Sequence, residues 1–162
     1  MAYLESTVIN RELISDFFLR FSRFEFALKV TGYATGSESR VDPDWTRFAK
    51  DIQEIFDWNR DPALVEACEL YIYTPPQKQV LVNGELAWST TLPGQWSEHS
   101  VAFLLELVRR VRNNLFHGGK YNGQFHEETA RNEALLAGGL RILQECLQAS
   151  DEVRKAYEEA AI

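Results

Sequence analysis

Between Arg109 and Lys120 the chain places Arg109, Arg110, Arg112, Asn113, Asn114, His117 and Lys120 within twelve residues. A guanidinium clamps a phosphate with two parallel N–H donors, and an imidazole exchanges protons near neutral pH. Asparagine amides can orient that imidazole or bond a phosphate oxygen. Arg109, Arg110 and Lys120 add the cationic field that draws in a polyanion. The residue types therefore admit phosphoryl chemistry, with Arg112 stabilising charge and His117 moving a proton. A plainer reading stands beside it. Asn, His and Gly are ordinary residues where a helix ends, and arginines there complement the helix dipole.

Net charge separates the two readings only in part. The 162-residue chain carries a formal charge of −7, so nucleic acid is repelled unless a local patch overrides the global field. The Arg109–Lys120 segment is such a patch. Apolar residues make up 45% and charged residues 25% of the chain, ordinary values for a globular domain. The length fits one domain over residues 1–162, and 12% aromatic residues predict a core built on Phe, Tyr and Trp. No apolar run reaches the roughly 18 residues needed to cross a bilayer. The N-terminus lacks the basic-then-apolar pattern of a secretory leader. Cys68 and Cys146 lack metal-ligand spacing and read as buried thiols. These features predict a cytoplasmic protein with no membrane partner and no metal.

The elements that must position the patch follow from periodicity. Ile14, Phe17, Phe18, Phe21, Phe24 and Leu28 recur at helical steps, with Ser6 or Asn10 as cap and Gly32 as stop. "TGSESRVDPD" reads as a polar loop. A second helix fits Asp44 to about Trp58, with Trp45, Phe48, Ile52, Ile55 and Phe56 on one side. A third begins with Asp61 as cap and Pro62 at its first position, and Pro75–Pro76 ends it. In "KQVLVNGELAWST" the period falls to two around Asn83–Gly84, which predicts a β-hairpin near 79–89. Val101, Leu104, Val108, Val111 and Leu115 form the seam of a fourth helix capped by Ser97 or Ser100. A glycine-rich loop separates it from a fifth helix, about Glu127–Leu147, burying Ala134, Leu135, Gly138, Ile142 and Leu143 or Cys146. The adjacent glycines Gly138 and Gly139 predict close approach by a neighbour. A charged tail helix lies at the periphery. The expected fold class is all-α: a bundle of four to five main helices with one small inserted hairpin.

At about 100° per residue, Arg112 flanks the apolar seam and His117 falls roughly 140° away. Phe103, Glu106, Arg110, Asn113 and His117 share the second side. One straight helix cannot bring Arg112 and His117 together. An apolar Phe103 on the polar side predicts a partner surface, and two such helix ends facing each other predict a homodimer.

The stretch Arg112-Asn113-Asn114-Leu115-Phe116-His117 resembles the arginine-to-histidine motif of the HEPN superfamily. "VRNNLFHGGK" and, more weakly, "FSRFEFALKVTGY" in the first helix are most similar to a small plasmid-borne subgroup. The resemblance implies a HEPN-like helical bundle and a metal-independent endoribonuclease, a toxin or phage-defence effector with RNA as substrate. It implies Arg112 and His117 as catalytic residues with Asn113 in support, brought together across a dimer, and a cognate antitoxin as a further partner. It implies no cofactor. The alternative is a HEPN-like module that binds a nucleotide, RNA or a partner protein through the same basic helix end without cleaving. Arg109, Arg110, Asn114 and Lys120 would bind phosphate in either case.

Further residues have two readings each. His99 is a surface or capping residue ahead of a helix. His126, Tyr121 and Phe125 either approach the site, the aromatics by stacking on bases, or serve the loop. Glu25 either pairs with Lys29 at i+4 or is a buried partner for Arg112.

Overall fold

The computed structural model describes residues 10–116 and 129–160. Helix α1 spans Arg11–Val30, α2 Trp45–Ile52, α3 Pro62–Tyr73, α4 Val101–Phe116, α5 Thr129–Gln148 and α6 Asp151–Glu159. Strands β1 (Ala34–Ser37) and β2 (Arg40–Pro43) form one antiparallel pair, and β3 (Lys78–Val82) and β4 (Glu85–Ser89) form another.

Local chemistry explains most of the boundaries. Asn10 caps α1, its Oδ1 accepting from the Glu12 and Leu13 amides, and Gly32 leaves the helix at φ +88°. Asp44 and Asp61 cap α2 and α3 by accepting from the Arg47 and Leu64 amides. The Ser100 hydroxyl accepts from the Phe103 amide at the start of α4. Each oxygen satisfies an amide that the helix cannot. Helix α2 stops at Ile52, short of the expected Trp58, and a tight turn follows; Phe56 is still buried while Ile55 faces solvent.

Six helices and two separate hairpins among the described residues overturn the all-α bundle with one hairpin. The chain is helix-rich but mixed α/β. The hairpin not foreseen is β1–β2, built from the stretch read as a polar loop. Both of its strands are largely exposed, so neither face imposes the apolar alternation by which strands are recognised. It is fastened at its base instead, where the Asp44 amide donates to the Tyr33 carbonyl. The Tyr33 ring there packs edge-on against Phe48 at 5.2 Å. The second hairpin is the expected one. Asn83 (φ 51°) and Gly84 (φ 81°) both lie in the left-handed region, the two-residue turn that Asn-Gly favours.

The core is aromatic at one end and tightly interlocked at the other. Phe24 stacks on Trp45 at 5.2 Å and meets Phe48 edge-on at 5.6 Å. At the other end α3 and α5 approach closely at Gly138 and Gly139, as the glycine pair predicts. The fully buried Tyr71 donates its hydroxyl to the Leu135 carbonyl at 2.6 Å. A Cβ on Gly139 would lie 2.7 Å from that hydroxyl and 3.0 Å from Phe17, whereas one on Gly138 would meet Ala67 and Tyr71 at 3.4 Å. Ala134, expected inside, is exposed.

This contact predicts opposite outcomes for neighbouring substitutions. Gly139→Ala should destabilise by about 1–3 kcal/mol through overpacking. Gly138→Ala should fall within about 1 kcal/mol of neutral, because gained helix propensity offsets the tighter contact. Tyr71→Phe removes the clashing oxygen and should recover part of the Gly139→Ala loss. Urea unfolding of wild type, the three single variants and the Tyr71→Phe/Gly139→Ala double variant measures this, and equal losses at both glycines would refute it.

Candidate functional site

Helix α4 changes character along its length. From Val101 to Leu105 every residue is buried, and so are Leu107, Val108 and Val111. Phe103 is 1% exposed. The apolar partner surface read from an exposed Phe103 is therefore absent at that position: the chain's own core covers that side. Beyond Leu107 the second side becomes polar, and hairpin β3–β4 lies against it.

Between them runs a groove of about 370 Å³ lined by Lys78 and Gln79 of β3 and by Glu106, Arg109, Arg110, Asn113 and Asn114 of α4. The helical residues fall on one arc because they recur at three- and four-residue steps. Two of them hold the groove together. Arg110 Nη1 donates to the Pro76 carbonyl at 3.1 Å and to the Thr91 carbonyl at 3.0 Å, grasping the chain just before β3 and just after β4. Burial lowers the Arg110 pKa and the Glu106 carboxylate opposes that shift, and the group stays cationic at any ordinary pH. Asn114 Nδ2 donates to the Gln77 carbonyl at 2.8 Å. The open positive charge in the groove thus comes from Arg109 and Lys78.

Arg112 lies beside this arc, not in it. Its guanidinium sits 4.9 Å from the Phe116 ring centre and 5.9 Å from that of Phe21, and Nη1 donates to Asn113 Oδ1 at 3.0 Å. The aromatic faces hold the plane of the guanidinium, and Asn113 links it to the groove. Phe116 in turn stacks on Phe18 of α1 at 5.6 Å. His117 and Lys120 lie outside the described residues, as do His126, Tyr121 and Phe125. Glu25 accepts from Trp45 Nε1 at 3.4 Å, which is neither of its two expected roles. His99 is exposed just ahead of α4.

No family model, no curated protein and no solved structure matches the chain.

Sequence reasoning located the α4 residues of the groove and missed its other wall. Lys78 and Gln79 open the expected hairpin, and nothing in their spacing announces that they fold back onto α4. Also missed was a polar cluster between α3 and α5. Glu145 is fully buried and accepts from Arg60 Nε at 2.7 and 2.9 Å, while Arg141 donates to both Glu145 and Asp61. Two guanidinium groups offset the cost of burying that carboxylate. The cluster pins the 57–61 turn to α5. Cys68 and Cys146 are buried free thiols. Burial pushes the Cys68 thiol up to about 12 and raises that of Cys146, so neither is a thiolate at neutral pH.

Two tests follow from these ties. Arg110→Met should release the hairpin from α4 while the helices keep their structure; amide exchange across residues 78–89 should then speed up at least tenfold. Unchanged protection would mean that the strands are held elsewhere. Asp61 has a pKa lowered first by its bond from Arg141 and then by the Leu64 amide. A lowered folded-state pKa gives stability that is present above the unfolded value near 4 and lost as pH falls through the folded one. Asp61→Asn keeps the cap but not the charge. Its urea midpoint should lie below wild type at pH 7, and the gap should close on acidification below about pH 4. A gap that persists in acid would exclude the ion pair as its source.

Proposed function

We propose that the chain is a metal-independent endoribonuclease that binds RNA in the groove between α4 and β3 and cleaves it at the end of α4. The observation that carries this reading is the groove itself: a chain of charge −7 gathers Lys78, Arg109 and Arg110 around one cleft whose edge adjoins Arg112. Local cation density of this kind is needed to hold a phosphate backbone against an acidic global field.

In the proposed chemistry the 2′-oxygen attacks the neighbouring phosphorus, a P–O bond forms to it and the bond to the 5′-oxygen breaks. The products are a 2′,3′-cyclic phosphate and a 5′-hydroxyl. Arg112 bonds the non-bridging oxygens as their charge grows. His117 of one copy takes the 2′-hydroxyl proton, and His117 of a second copy gives a proton to the leaving oxygen. Asn113 orients Arg112. The pairing of two copies answers the helical geometry that keeps Arg112 and His117 apart in one straight helix. The likeness of Arg112–His117 to the HEPN motif supports these roles.

A second reading has its own observation. Arg110 and Asn114 are committed to the hairpin backbone, which suits a rigid cleft that holds RNA, a nucleotide or a partner protein without cutting.

Single-stranded RNA incubated with the protein and excess chelator separates the readings. Cleavage that stops when the 2′-hydroxyl is removed at the cut site supports the nuclease. Arg112→Ala and His117→Ala should then each lower the rate by roughly 100-fold or more. Arg112→Lys keeps the stem over Phe116 and should also lose most of the rate. Lys78→Ala and Arg109→Ala should weaken binding and reduce its salt slope by about one each. Tight binding with intact RNA supports the second reading, and no affinity for RNA at low salt refutes the nuclease and RNA as the ligand of the second reading.

A further inference from the structure

One charge in the groove between α4 and β3 has the wrong sign for a phosphate. Glu106 lines it together with Arg109, Arg110 and Lys78. Arg109 and Arg110 follow Glu106 by three and four residues, the spacing at which helical side chains pair. Among the described residues neither forms an ion pair with it. Arg110 is turned instead to the carbonyls of Pro76 and Thr91. Trp96 Nε1 donates to Glu106 Oε2 at 3.4 Å, a long bond that uses one of about four acceptor positions on a carboxylate. Oε1 accepts from no donor among the described residues. Glu106 is thus a half-buried fork of acceptors, steadied at one prong and open at the other.

We infer that Glu106 selects a guanine base, whose N1–H and N2 amino group donate to its carboxylate. The inference rests on the proposed reading of the groove as a site for RNA or a nucleotide, and deepens it by naming the base.

A carboxylate repels a phosphate backbone, so its place in the groove points to the part of a nucleotide that carries N–H donors. Guanine alone among the standard RNA bases sets two donors side by side on one edge, matching the two oxygens of a carboxylate. Adenine and cytosine offer one amino group beside a ring-nitrogen acceptor, and uracil one N–H between two carbonyls. Each of these brings a lone pair toward Glu106. Guanine O6, next to N1–H, needs a donor in turn, and Lys78 and Gln79 of β3 line the same groove. Asn113 supplies another: its Oδ1 accepts from Arg112 at 3.0 Å, which leaves the amide nitrogen to donate. The volume of about 370 Å³ lies in the range of sites that hold a small ligand. The edge that Glu106 reads is hidden in a duplex, so the strand must be single. Glu106 lies six residues before Arg112, about 9 Å along α4, and one short stretch of strand reaches both.

Fluorescence anisotropy on the full chain tests this with 2′-O-methyl oligouridine carrying one central guanosine, adenosine or inosine, the methyl groups preventing cleavage. Wild type should bind the guanosine strand about fivefold or more tighter than the adenosine strand or plain oligouridine. Inosine, which lacks the N2 amino group, should lose most of that advantage. Glu106→Gln keeps an acceptor for Trp96 and removes the charge. It should tighten plain oligouridine and bring the guanosine strand to within about twofold of it. A carboxylate that only tempers charge or holds Trp96 leaves the ratio between strands unchanged, and that result overturns the inference. Equal affinity of wild type for the guanosine and adenosine strands, or for guanosine and inosine, overturns it without any variant. Guanosine and adenosine monophosphates, added as competitors and tested alone, separate the base from the backbone. Selective binding of guanosine monophosphate with no binding of any strand upholds guanine recognition and refutes the nuclease. Strands that bind without preference refute the guanine alone, and no binding of strand or monophosphate refutes both.

Discussion

The grip of Arg110 on two backbone carbonyls, those of Pro76 and Thr91, is the constraint on which the groove depends. A two-stranded hairpin is marginal in water unless something else buries or binds it. This one buries little at its tip, where Leu81 and Leu86 pair across the strands and both face solvent. Its fixed point is the base, where a half-buried cation replaces the core that the strands lack. Asn114 adds a bond to Gln77 at the same base. One consequence is that Lys78 and Gln79, next along the chain, are set opposite Arg109 and Asn113. The charge that shapes the cleft, Arg110, and one of the two left open in it, Arg109, are therefore neighbours on a single helix, while Lys78 supplies the other from β3.

Helix α4 can carry both duties because its burial is graded. Its first turns are enclosed almost all round and act as the central post of the fold. Its last two turns emerge from the core, with Val111 still buried and Asn113 and Phe116 exposed. A charged cluster at the enclosed end would have needed a compensating partner for every group. At the emerging end, solvent, aromatic rings and a few carbonyls are enough. The acidic cluster partner Glu145 shows the other solution, since it is fully buried and needs two arginines to stay there.

What the sequence made legible is what local chemistry decides. Asp61 caps α3 as read, Asn10 and Ser100 are each one of two candidates for their caps, and Asp44, read as the start of the second helix, caps it, because a short polar side chain reaches an unpaired amide. Asn83–Gly84 turns the second hairpin because both residues tolerate positive φ. Gly138 and Gly139 announced a close neighbour without naming Tyr71. The failures share a cause in tertiary context. The strands around Gly36 bury no face, so they carry no period. Phe103 was placed on a polar side by helical angle, but the angle says nothing of what covers that side. Lys78, Gln79, Arg60 and Arg141 join their clusters from distant parts of the chain, and no spacing within their own elements encodes this. Of the site, the cationic arc of α4 was readable; its opposing wall was not.

The two sides of the α4 end also answer the question of how Arg112 relates to the groove. A cation flanked by Phe116 and Phe21 loses rotational freedom before any ligand arrives, and a preorganised fork loses less on binding than a free one. Its bond to Asn113 turns one edge toward the groove that Asn113 lines. A phosphate drawn in by Arg109 and Lys78 would thus meet a guanidinium already oriented beside it. The aromatic stack that orients Arg112 continues through Phe116 to the exposed Phe18 of α1, so the support of the cleft edge is shared between two helices.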